Sequence, residues 1–335
     1  MRIGMDAMGG DHAPAEIVRG VELGLRHLGP KDEIVLYGLR EAVEAECRAA
    51  GLTDPRVLVE ACSQVIGMGE PPVDALRHKR DASIVRMAVA AGKHELDAVI
   101  SAGNTGAFAA ACQLKIGPVG GVSRPGIAVV MPTFHGPVVI CDVGANVAPK
   151  PHHLHEYARM CHLYARLILG IAQPRVGLVS IGEEEGKGSP LVKEATALIK
   201  DDAALQFIGN VEGRDIFGGA CDIAVCDGFV GNVMLKLTEG LAEGLFKTIV
   251  AEIRDEGQDL VQKFEPVVAR IWRKHDFAEY GGAPLLGING VVIICHGRSD
   301  RRAISNAIRV AVEQVRHDLI PAIARELPTR VEDAA

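Results

Sequence analysis

Four glycine-containing turns follow short apolar runs, and each carries polar groups suited to binding an anion. The first is Ser101-Ala-Gly-Asn-Thr-Gly106, which follows the run AVI and opens a helical pattern. Gly103 and Gly106 allow close backbone approach, and Asn104 or Thr105 can cap the helix. A helix N-terminus carries about +0.5 charge, so an anion is its natural ligand. We therefore predict that Ser101, Gly103, Asn104, Thr105 and Gly106 bind phosphate or an anionic part of a substrate, although a plain capped turn has the same pattern.

Three further turns have the same construction. Asp142-Val-Gly-Ala-Asn146 follows the run VVIC, the sequence GEEEGKG of residues 182–188 follows LVSI, and Asp227-Gly-Phe-Val-Gly-Asn232 follows IAVC. Ligands of open α/β sheets bind beyond the carboxyl ends of strands, so we expect all four turns to converge on one cleft. Asp142 and Asn146 are predicted to bind substrate, and Asp227 and Asn232 to take part in catalysis. Asp142 and Asp227 are equally suited to capping or holding their turns.

Two residues are candidate proton donors or phosphate contacts. Lys187 stands between two glycines, which suits a mobile cation, and His296 follows the apolar run VVIIC. A solvated loop lysine and a hydrogen-bonded structural histidine are the alternatives.

Two other kinds of site are possible from the residue types alone. Cys141 or Cys226 could be a nucleophile, but neither has a neighbouring base in sequence and both end apolar runs typical of buried thiols, as does Cys295. His152 with His155 or Glu156 could bind a metal, but histidines at the start of a surface helix are commonly just exposed. We expect no metal.

The elements that must position these residues alternate between strand and helix, which is the α/β pattern. The strands are continuous apolar runs, typical of a mainly parallel sheet that is covered on both faces. The predicted strands are Arg2–Asp6, Glu33–Tyr37, Arg56–Glu60, Asp97–Ser101, Gly126–Met131, Pro137–Asp142, Arg175–Ile181, Leu205–Asn210, Asp222–Asp227 and Val291–His296. The predicted helices are Ala15–Leu28, Arg40–Ala50, Ala82–Lys93, Thr105–Leu114, Leu154–Leu169, Pro190–Lys200, Asn232–Arg254 and Ala303–Leu319.

The sequence predicts one α/β domain over residues 1–335 with a projecting helical hairpin at residues 252–280. Apolar residues recur there at helical spacing, and we expect Pro266 to divide the segment into two short helices. Trp272 with Arg273 and Lys274 gives it the character of a helix that lies on a membrane surface, although packing in the core or in a dimer is an equal alternative.

Composition excludes some classes. The 335 residues carry a net charge of -7, which argues against nucleic-acid binding. Glycine accounts for 38 of the 335 residues, which is more than the usual share of about 7%, and the glycines cluster in the turns. The eight cysteines have no metal-binding or disulfide spacing, and no run of about 18 apolar residues occurs. Because Met1 leads straight into a predicted strand, we expect no signal peptide and a cytoplasmic protein.

Seven motifs in order make the chain resemble the PlsX family of phosphate acyltransferases. They span nearly the whole sequence and are MDAMGGD, SAGNTGA, DVGANV, GEEEGKG, IGNVEGRDI, CDGFVGNVMLK and EYGGAPLLG followed by HGRSD. Gly186 and Ser189 stand where the family often has a bulkier residue and Asn, and the segment after DVGANV is rich in His.

The resemblance implies a Rossmann-like three-layer sandwich similar to isopropylmalate dehydrogenases and phosphotransacetylases. It implies transfer of an acyl group from acyl carrier protein to inorganic phosphate for phospholipid biosynthesis, by a cofactor-free homodimer peripherally attached to the inner face of the membrane. A phosphotransacetylase that uses acyl-CoA and a non-catalytic membrane scaffold are the alternatives. A dehydrogenase is disfavoured because no dinucleotide fingerprint follows the first strand.

Overall fold

The computed structural model describes residues 1–275 and 277–327, and the side chains of residues 258–259 and 272–278 lie outside this description. The predicted side-chain roles of Trp272, Arg273 and Lys274 therefore fall outside the described part of the chain.

Strands and helices alternate along the described chain. The strands are β1 Arg2–Asp6, β2 Glu33–Gly38, β3 Val57–Ala61, β4 Ala98–Ser101, β5 Gly126–Thr133, β6 Gly136–Cys141, β7 Arg175–Val179, β8 Gln206–Val211, β9 Ile223–Val225, β10 Ala283–Leu286 and β11 Val291–Ile294. The helices are α1 Ala15–Gly24, α2 Arg40–Ala50, α3 Pro72–His78, α4 Ser83–Gly92, α5 Thr105–Lys115, α6 Pro151–Leu167, α7 Pro190–Lys200, α8 Gly213–Phe217, α9 Gly228–Glu256, α10 Gln258–His275, α11 Arg301–Arg316 and α12 Leu319–Glu326.

The strands form one mixed sheet in the order β3-β2-β1-β4-β11-β10-β5-β6-β9-β7-β8. Strands β3, β2, β1, β4 and β11 are mutually parallel, and so are β6, β9, β7 and β8. Between these two groups, β10 is antiparallel to β11 and to β5, and β5 is antiparallel to β6. Three successive reversals leave the two parallel groups pointing in opposite directions.

Helices cover both faces of the sheet, because alternate residues of each strand point to opposite sides. Ile34 and Leu36 pack in one cluster with α1 and α11, whereas Val35 and Tyr37 pack in another with α4 and α5. Both sides of β2 are buried, and the continuous apolar runs of the sequence reflect this double coverage. The predicted three-layer α/β architecture with a mainly parallel sheet is confirmed.

All ten predicted strands are present, with end shifts of at most a few residues. Strand β10, Ala283–Leu286, follows two glycines and precedes a third, and the sequence pattern did not predict it. The short helices α3, α8 and α12 were not predicted either.

The predicted break at Pro266 is wrong. Helix α10 continues through this proline as one helix, Gln258–His275, and packs against α9. The chain reverses instead at Gly257, whose φ of 128° favours glycine. The two arms of the hairpin are therefore α9, which begins far upstream at Gly228, and α10.

Candidate active site

The predicted site residues follow two groups of strands that run in opposite directions. Ser101 and His296 follow β4 and β11, whose carboxyl ends define the first edge, together with that of β1. Asp142, Asp227 and the Lys187 loop follow β6, β9 and β7, whose carboxyl ends define the second edge. The antiparallel strands β10, β5 and β6 reverse the strand direction between the two edges, and the convergence of all four turns on one cleft stays a prediction.

At the first edge, Ser101 links two turns. Its hydroxyl donates to Oδ2 of Asp6 at 2.7 Å and accepts the backbone N–H of Gly103 at 3.0 Å. Burial raises the pKa of Asp6, although the hydroxyl and backbone hydrogen bonds oppose this shift. The turns are so close that a Cβ on Gly9 would lie 2.5 Å from the Gly103 nitrogen. Ser101 and Gly103 are therefore buried and connect the turn after β1 to the turn after β4.

Both polar atoms of the Asn104 side chain have partners at the start of α5. Its Oδ1 accepts the Ala107 N–H at 3.0 Å, and its Nδ2 donates to carbonyl oxygens of residues 67, 68 and 70. Thr105 and Gly106 are exposed at the helix start, and within the described chain no acceptor pairs with their backbone N–H groups. The anion-binding capacity of this turn thus rests on the two open N–H groups and not on the Asn104 amide.

At the second edge, Asp142 is fully buried and organises its turn. Its carboxylate accepts backbone N–H groups of Ile127, Gly144, Ala145 and Asn146 at 2.6–3.1 Å. Burial raises the pKa of Asp142 against the effect of these four donors. Asp142 therefore fixes the backbone conformation of the turn that follows β6.

Asn146 and Asp227 are also engaged in holding the backbone. The Nδ2 of Asn146 donates to the Pro125 carbonyl at 2.7 Å and to the Tyr157 hydroxyl at 2.8 Å. Asp227 caps α9 by accepting the N–H groups of Phe229 and Val230, both at 2.9 Å.

Asn232 differs from these residues because its side chain is exposed. A Cβ built on Gly144 would lie 3.9 Å from its Oδ1, so the amide stands directly beside the Asp142–Asn146 turn. Gly231, the preceding residue, packs so tightly that a Cβ there would lie 2.0 Å from the Asp142 carbonyl oxygen. In the described residues no hydrogen-bond partner for the Asn232 amide occurs, which leaves it available to a ligand.

Lys187 is carried by the exposed loop after β7. Its backbone N–H donates to the Glu184 carbonyl at 2.9 Å, and the same carbonyl accepts Nδ2 of Asn210 at 3.1 Å. Across residues 1–275 and 277–327, no carboxylate forms an ion pair with the Lys187 ammonium. Because β7 lies beside β9, this free cation and the free Asn232 amide belong to adjacent loops of one edge.

His296 lies in a groove of about 1310 Å³ at the first edge. Its Nδ1 accepts the Arg298 backbone N–H at 3.2 Å, which leaves Nε2 for a ligand. The groove runs between the α9–α10 hairpin and the segment Cys295–Ala303. Its apolar lining includes Phe246, Val250, Val261, Val268 and Ala269. Lys236, one helical turn after Asn232, also lines this groove, so the groove extends from His296 along α9 toward the second edge.

The thiol and metal alternatives find no support in the geometry. Burial raises the pKa of both Cys141 and Cys226 well above that of a free thiol, so neither is a ready nucleophile at neutral pH. His155 bonds Asp202 at 2.7 Å, and Glu156 accepts the Ser123 hydroxyl at 2.8 Å, so these side chains serve separate partners.

Sequence reasoning missed Asn210 and the groove. Asn210 stands in the motif IGNVEGRDI, which was noted only as part of the resemblance, and an Asn within a buried strand end was the available signal. The groove joins segments far apart in sequence, so no local pattern indicates it.

A family model described as "Fatty acid synthesis protein" matches residues 1–321. The chain is 46% identical to a protein of Heliobacterium modesticaldum named phosphate acyltransferase, covering 99% of both chains. It is 48% identical to a phosphate acyltransferase of Desulfitobacterium hafniense, covering 98% of both.

Solved structures show a similar fold. A phosphotransacetylase from Streptococcus pyogenes superimposes with a TM-score of 0.61 at 18% identity, and the EutD phosphotransacetylase from Staphylococcus aureus with a TM-score of 0.61 at 14% identity. Each comparison covers 94% of both chains.

Proposed function

The chain belongs to the fatty acid synthesis protein family, and from this premise we propose that it is a phosphate acyltransferase that converts acyl-(acyl carrier protein) and inorganic phosphate into acyl phosphate and free carrier protein. The product would supply phospholipid biosynthesis. The observation that carries the proposal is a pair of polar groups on adjacent loops of the second edge, the Lys187 ammonium and the Asn232 amide, for which the described part of the chain offers no partner.

The reaction needs no covalent enzyme intermediate. A phosphate oxygen attacks the thioester carbonyl carbon, the new C–O bond forms, and the C–S bond breaks as the sulfur leaves as a thiolate. Asn232 donates a hydrogen bond to the oxyanion, a contact worth about 2.7–4 kcal/mol in comparable sites. Lys187 binds phosphate and protonates the leaving thiolate. Because the corresponding thiol has a pKa of roughly 8.5, a weak acid is a sufficient proton donor. Holding the two substrates in line supplies about 7–11 kcal/mol more.

The groove at the first edge is the proposed site of the acyl chain. Apolar residues from α9 and α10 form its walls, as an aliphatic chain requires. Open N–H groups of Thr105 and Gly106 at the same edge suit an anionic part of the substrate. His296 and Arg298, on the groove wall, are placed to meet polar groups of the carrier.

We place the protein in the cytoplasm, peripherally attached to the inner face of the membrane and acting as a homodimer without a cofactor. Helix α9 exposes the apolar residues Leu237, Leu241 and Leu245, and we assign this surface to the dimer contact. Helix α10 exposes Leu260, Phe264 and Ile271, and we assign this surface to the membrane. Among the described residues, no helix is long and apolar enough to cross a bilayer.

The test is phosphate-dependent cleavage of palmitoyl-(acyl carrier protein) by the purified protein without added nucleotide or metal. Hydroxylamine traps acyl phosphate as a hydroxamate, and an assay without phosphate is the control. We expect hydroxamate and free carrier to form in equal amounts. Faster turnover of palmitoyl-CoA would favour a phosphotransacetylase-like enzyme, and inertness of both thioesters would contradict the proposal and favour a scaffold.

A further inference from the structure

A loop and a short helix beside the groove present apolar side chains to solvent in a fixed position. Met68 is 50% exposed, and Val73 of α3 is 58% exposed. The loop that carries Met68 is fixed by Asn104, whose Nδ2 donates to the carbonyl oxygens of residues 67, 68 and 70 at 2.9–3.2 Å. Because hydrogen bonds hold these exposed apolar side chains in place, they form a preformed contact surface.

Glu70 and Lys79 fix the other side of the same loop. One oxygen of the Glu70 carboxylate accepts the Gly67 N–H and the Lys79 ammonium, both at 2.6 Å. The ammonium also donates to the Val65 carbonyl at 2.8 Å. The charge of Lys79 is therefore compensated within the loop and is not available to a partner.

Three arginines around these apolar side chains form no ion pair with any described carboxylate. Arg77 and Arg80 are exposed on and just after α3, and Arg298 is exposed on the groove wall. Arg77 follows Val73 by four residues, so the two side chains lie within about 40° of each other on one helix face. We refer to Met68, Val73, Arg77, Arg80 and Arg298 as the α3 surface.

The α3 surface adjoins the groove through Met68. A Cβ built on Gly297 would lie 3.0 Å from the Met68 Cε. Gly297 stands between His296 and Arg298, which both line the groove. A protein bound to the α3 surface would therefore stand at the mouth of the groove.

Charge selects the kind of protein that fits this surface. The whole chain has a net charge of -7, so its surface at large repels an acidic protein, and unpaired cations attract one locally. Apolar side chains between arginines match a helix that carries acidic residues around an apolar one. The partner must also deliver a thioester to the groove, which the acyl carrier protein does and a membrane or a nucleic acid does not.

We propose that the α3 surface is the docking site for an acidic helix of the acyl carrier protein. The arginines meet carboxylates of the carrier, and Met68 and Val73 meet an apolar residue between them. The docked carrier places its acyl-bearing arm at the mouth of the groove, beside His296. This inference rests on the proposed acyl transfer and names the surface that the protein substrate uses.

Binding of the carrier without turnover tests the docking surface. Fluorescence anisotropy of labelled palmitoyl-(acyl carrier protein), in low-salt buffer without phosphate, measures Kd for the wild type and the variants. Arg77→Glu with Arg80→Glu is expected to weaken binding at least about 10-fold, because two attractive charges become repulsive. The matched control is Arg48→Glu, an exposed arginine of α2 on the opposite face of the sheet, which should change Kd less than about 2-fold.

Salt and the sign of the charge distinguish docking from general damage to the fold. At about 0.5 M salt the difference between wild type and the double variant should shrink to less than about 3-fold, because exposed charges are screened. Asp74→Asn removes an exposed carboxylate of α3 and should strengthen carrier binding about 2-fold. Weaker binding by Asp74→Asn, or a difference that salt does not reduce, overturns the electrostatic docking.

The remaining outcomes separate this inference from the proposed function. Wild-type affinity of the Arg77→Glu/Arg80→Glu variant, or an equal loss in Arg48→Glu, overturns the docking surface alone. Vesicles of anionic phospholipid that require Arg77 and Arg80, with carrier affinity unchanged, would assign the surface to the membrane and overturn the docking site as well. A protein that binds the carrier through the α3 surface but forms no acyl phosphate contradicts the proposed function and leaves the docking surface standing.

Discussion

Asn210 donates from Nδ2 to the carbonyl oxygen of Glu184 at 3.1 Å, and this bond fastens the carboxyl end of β8 to the loop that carries Lys187. The same carbonyl accepts the Lys187 N–H. Oδ1 of Asn210 and the nearby hydroxyl oxygen of Ser180 are buried without a partner among the described residues. Asn210 is therefore positioned to act on the chemistry through the lysine loop.

Asn210→Asp replaces the donor with an oxygen of nearly the same shape. We expect kcat/KM for phosphate to fall about 5–10-fold, which corresponds to the roughly 1 kcal/mol of one hydrogen bond. Steady-state kinetics at varied phosphate concentration measures it, with Gln206→Glu, an exposed amide on the same strand, as the control.

The double variant separates positioning from general damage. If Asn210 acts through Lys187, adding Asn210→Asp to Lys187→Ala costs less than a further factor of about two. An equal loss in both backgrounds would mean that Asn210 supports the fold and not the lysine.

Lys187→Ala removes a cation of the second edge that no carboxylate of the described residues pairs. We expect kcat to fall by about 10²–10³, the loss typical of one electrostatic contact to a developing charge. Lys187→Arg keeps the charge and should retain part of the activity. The comparison is Lys193→Ala, an exposed lysine of α7; full turnover by Lys187→Ala would remove this lysine from the mechanism.

The architecture could be predicted from sequence because strands that are buried on both faces have continuous apolar sequences, as in β1, β2, β4 and β11. Strand β10 could not be predicted because it has only four residues and glycines flank it on both sides. The site was harder for a related reason. Strand direction cannot be inferred from a run such as VVIC, so nothing local indicated that Asp142 and Ser101 follow strands that run in opposite directions. The side chains of Asn104 and Asn146 have ordinary ligand chemistry, and only their three-dimensional partners reveal that they are already occupied.

His153 makes the protein less stable in mild acid. Its Nδ1 accepts the Lys150 N–H at 2.9 Å, and burial lowers the pKa of its imidazole from 6.5 to about 4. The folded state therefore binds this proton less tightly than the unfolded state, so the contribution is complete above pH 6.5 and is lost as pH falls toward 4.

We expect this residue to account for about 2 kcal/mol of the unfolding free energy lost between pH 7 and pH 4.5. His153→Asn keeps an acceptor for the Lys150 N–H but cannot titrate, so its loss should be smaller. Urea unfolding at both pH values measures the difference, with exposed His12→Asn as the control. Equal losses in wild type and His153→Asn would show that other groups govern the acid sensitivity.

The length of the groove should limit the length of the acyl chain that the protein accepts. Ala269 lines its wall, and a tryptophan there would take the space of the distal methylenes of a long chain. At about 0.8 kcal/mol per buried methylene, exclusion of two costs roughly 10-fold in kcat/KM. We expect Ala269→Trp to lose this factor with palmitoyl-(acyl carrier protein) and less than about 2-fold with the octanoyl substrate. Gln262→Trp, exposed on the same helix and outside the groove, is the control; a parallel fall for both chain lengths would place the acyl chain elsewhere.

Helix α10 carries a second apolar surface, suited to a bilayer and not to another protein helix. Leu260, Phe264 and Ile271 are 38–46% exposed, and their spacing puts them within about 40° of one another on one helix face. Val267, Val268 and Val261 are half-buried, so the exposed three form the stripe that would enter the headgroup region.

Phe264→Glu with Ile271→Glu should reduce sedimentation with vesicles of anionic phospholipid at least about 10-fold, because each apolar side chain contributes roughly 1.5–3 kcal/mol when buried. Turnover of soluble palmitoyl-(acyl carrier protein) should stay near wild type, since neither residue lines the groove or belongs to the exposed apolar surface of α9. Gln262→Glu adds one charge to the same helix and measures the repulsion that each added charge meets at the anionic surface. If the double variant binds vesicles as well as that control, the stripe is not the membrane contact and attachment must use another surface.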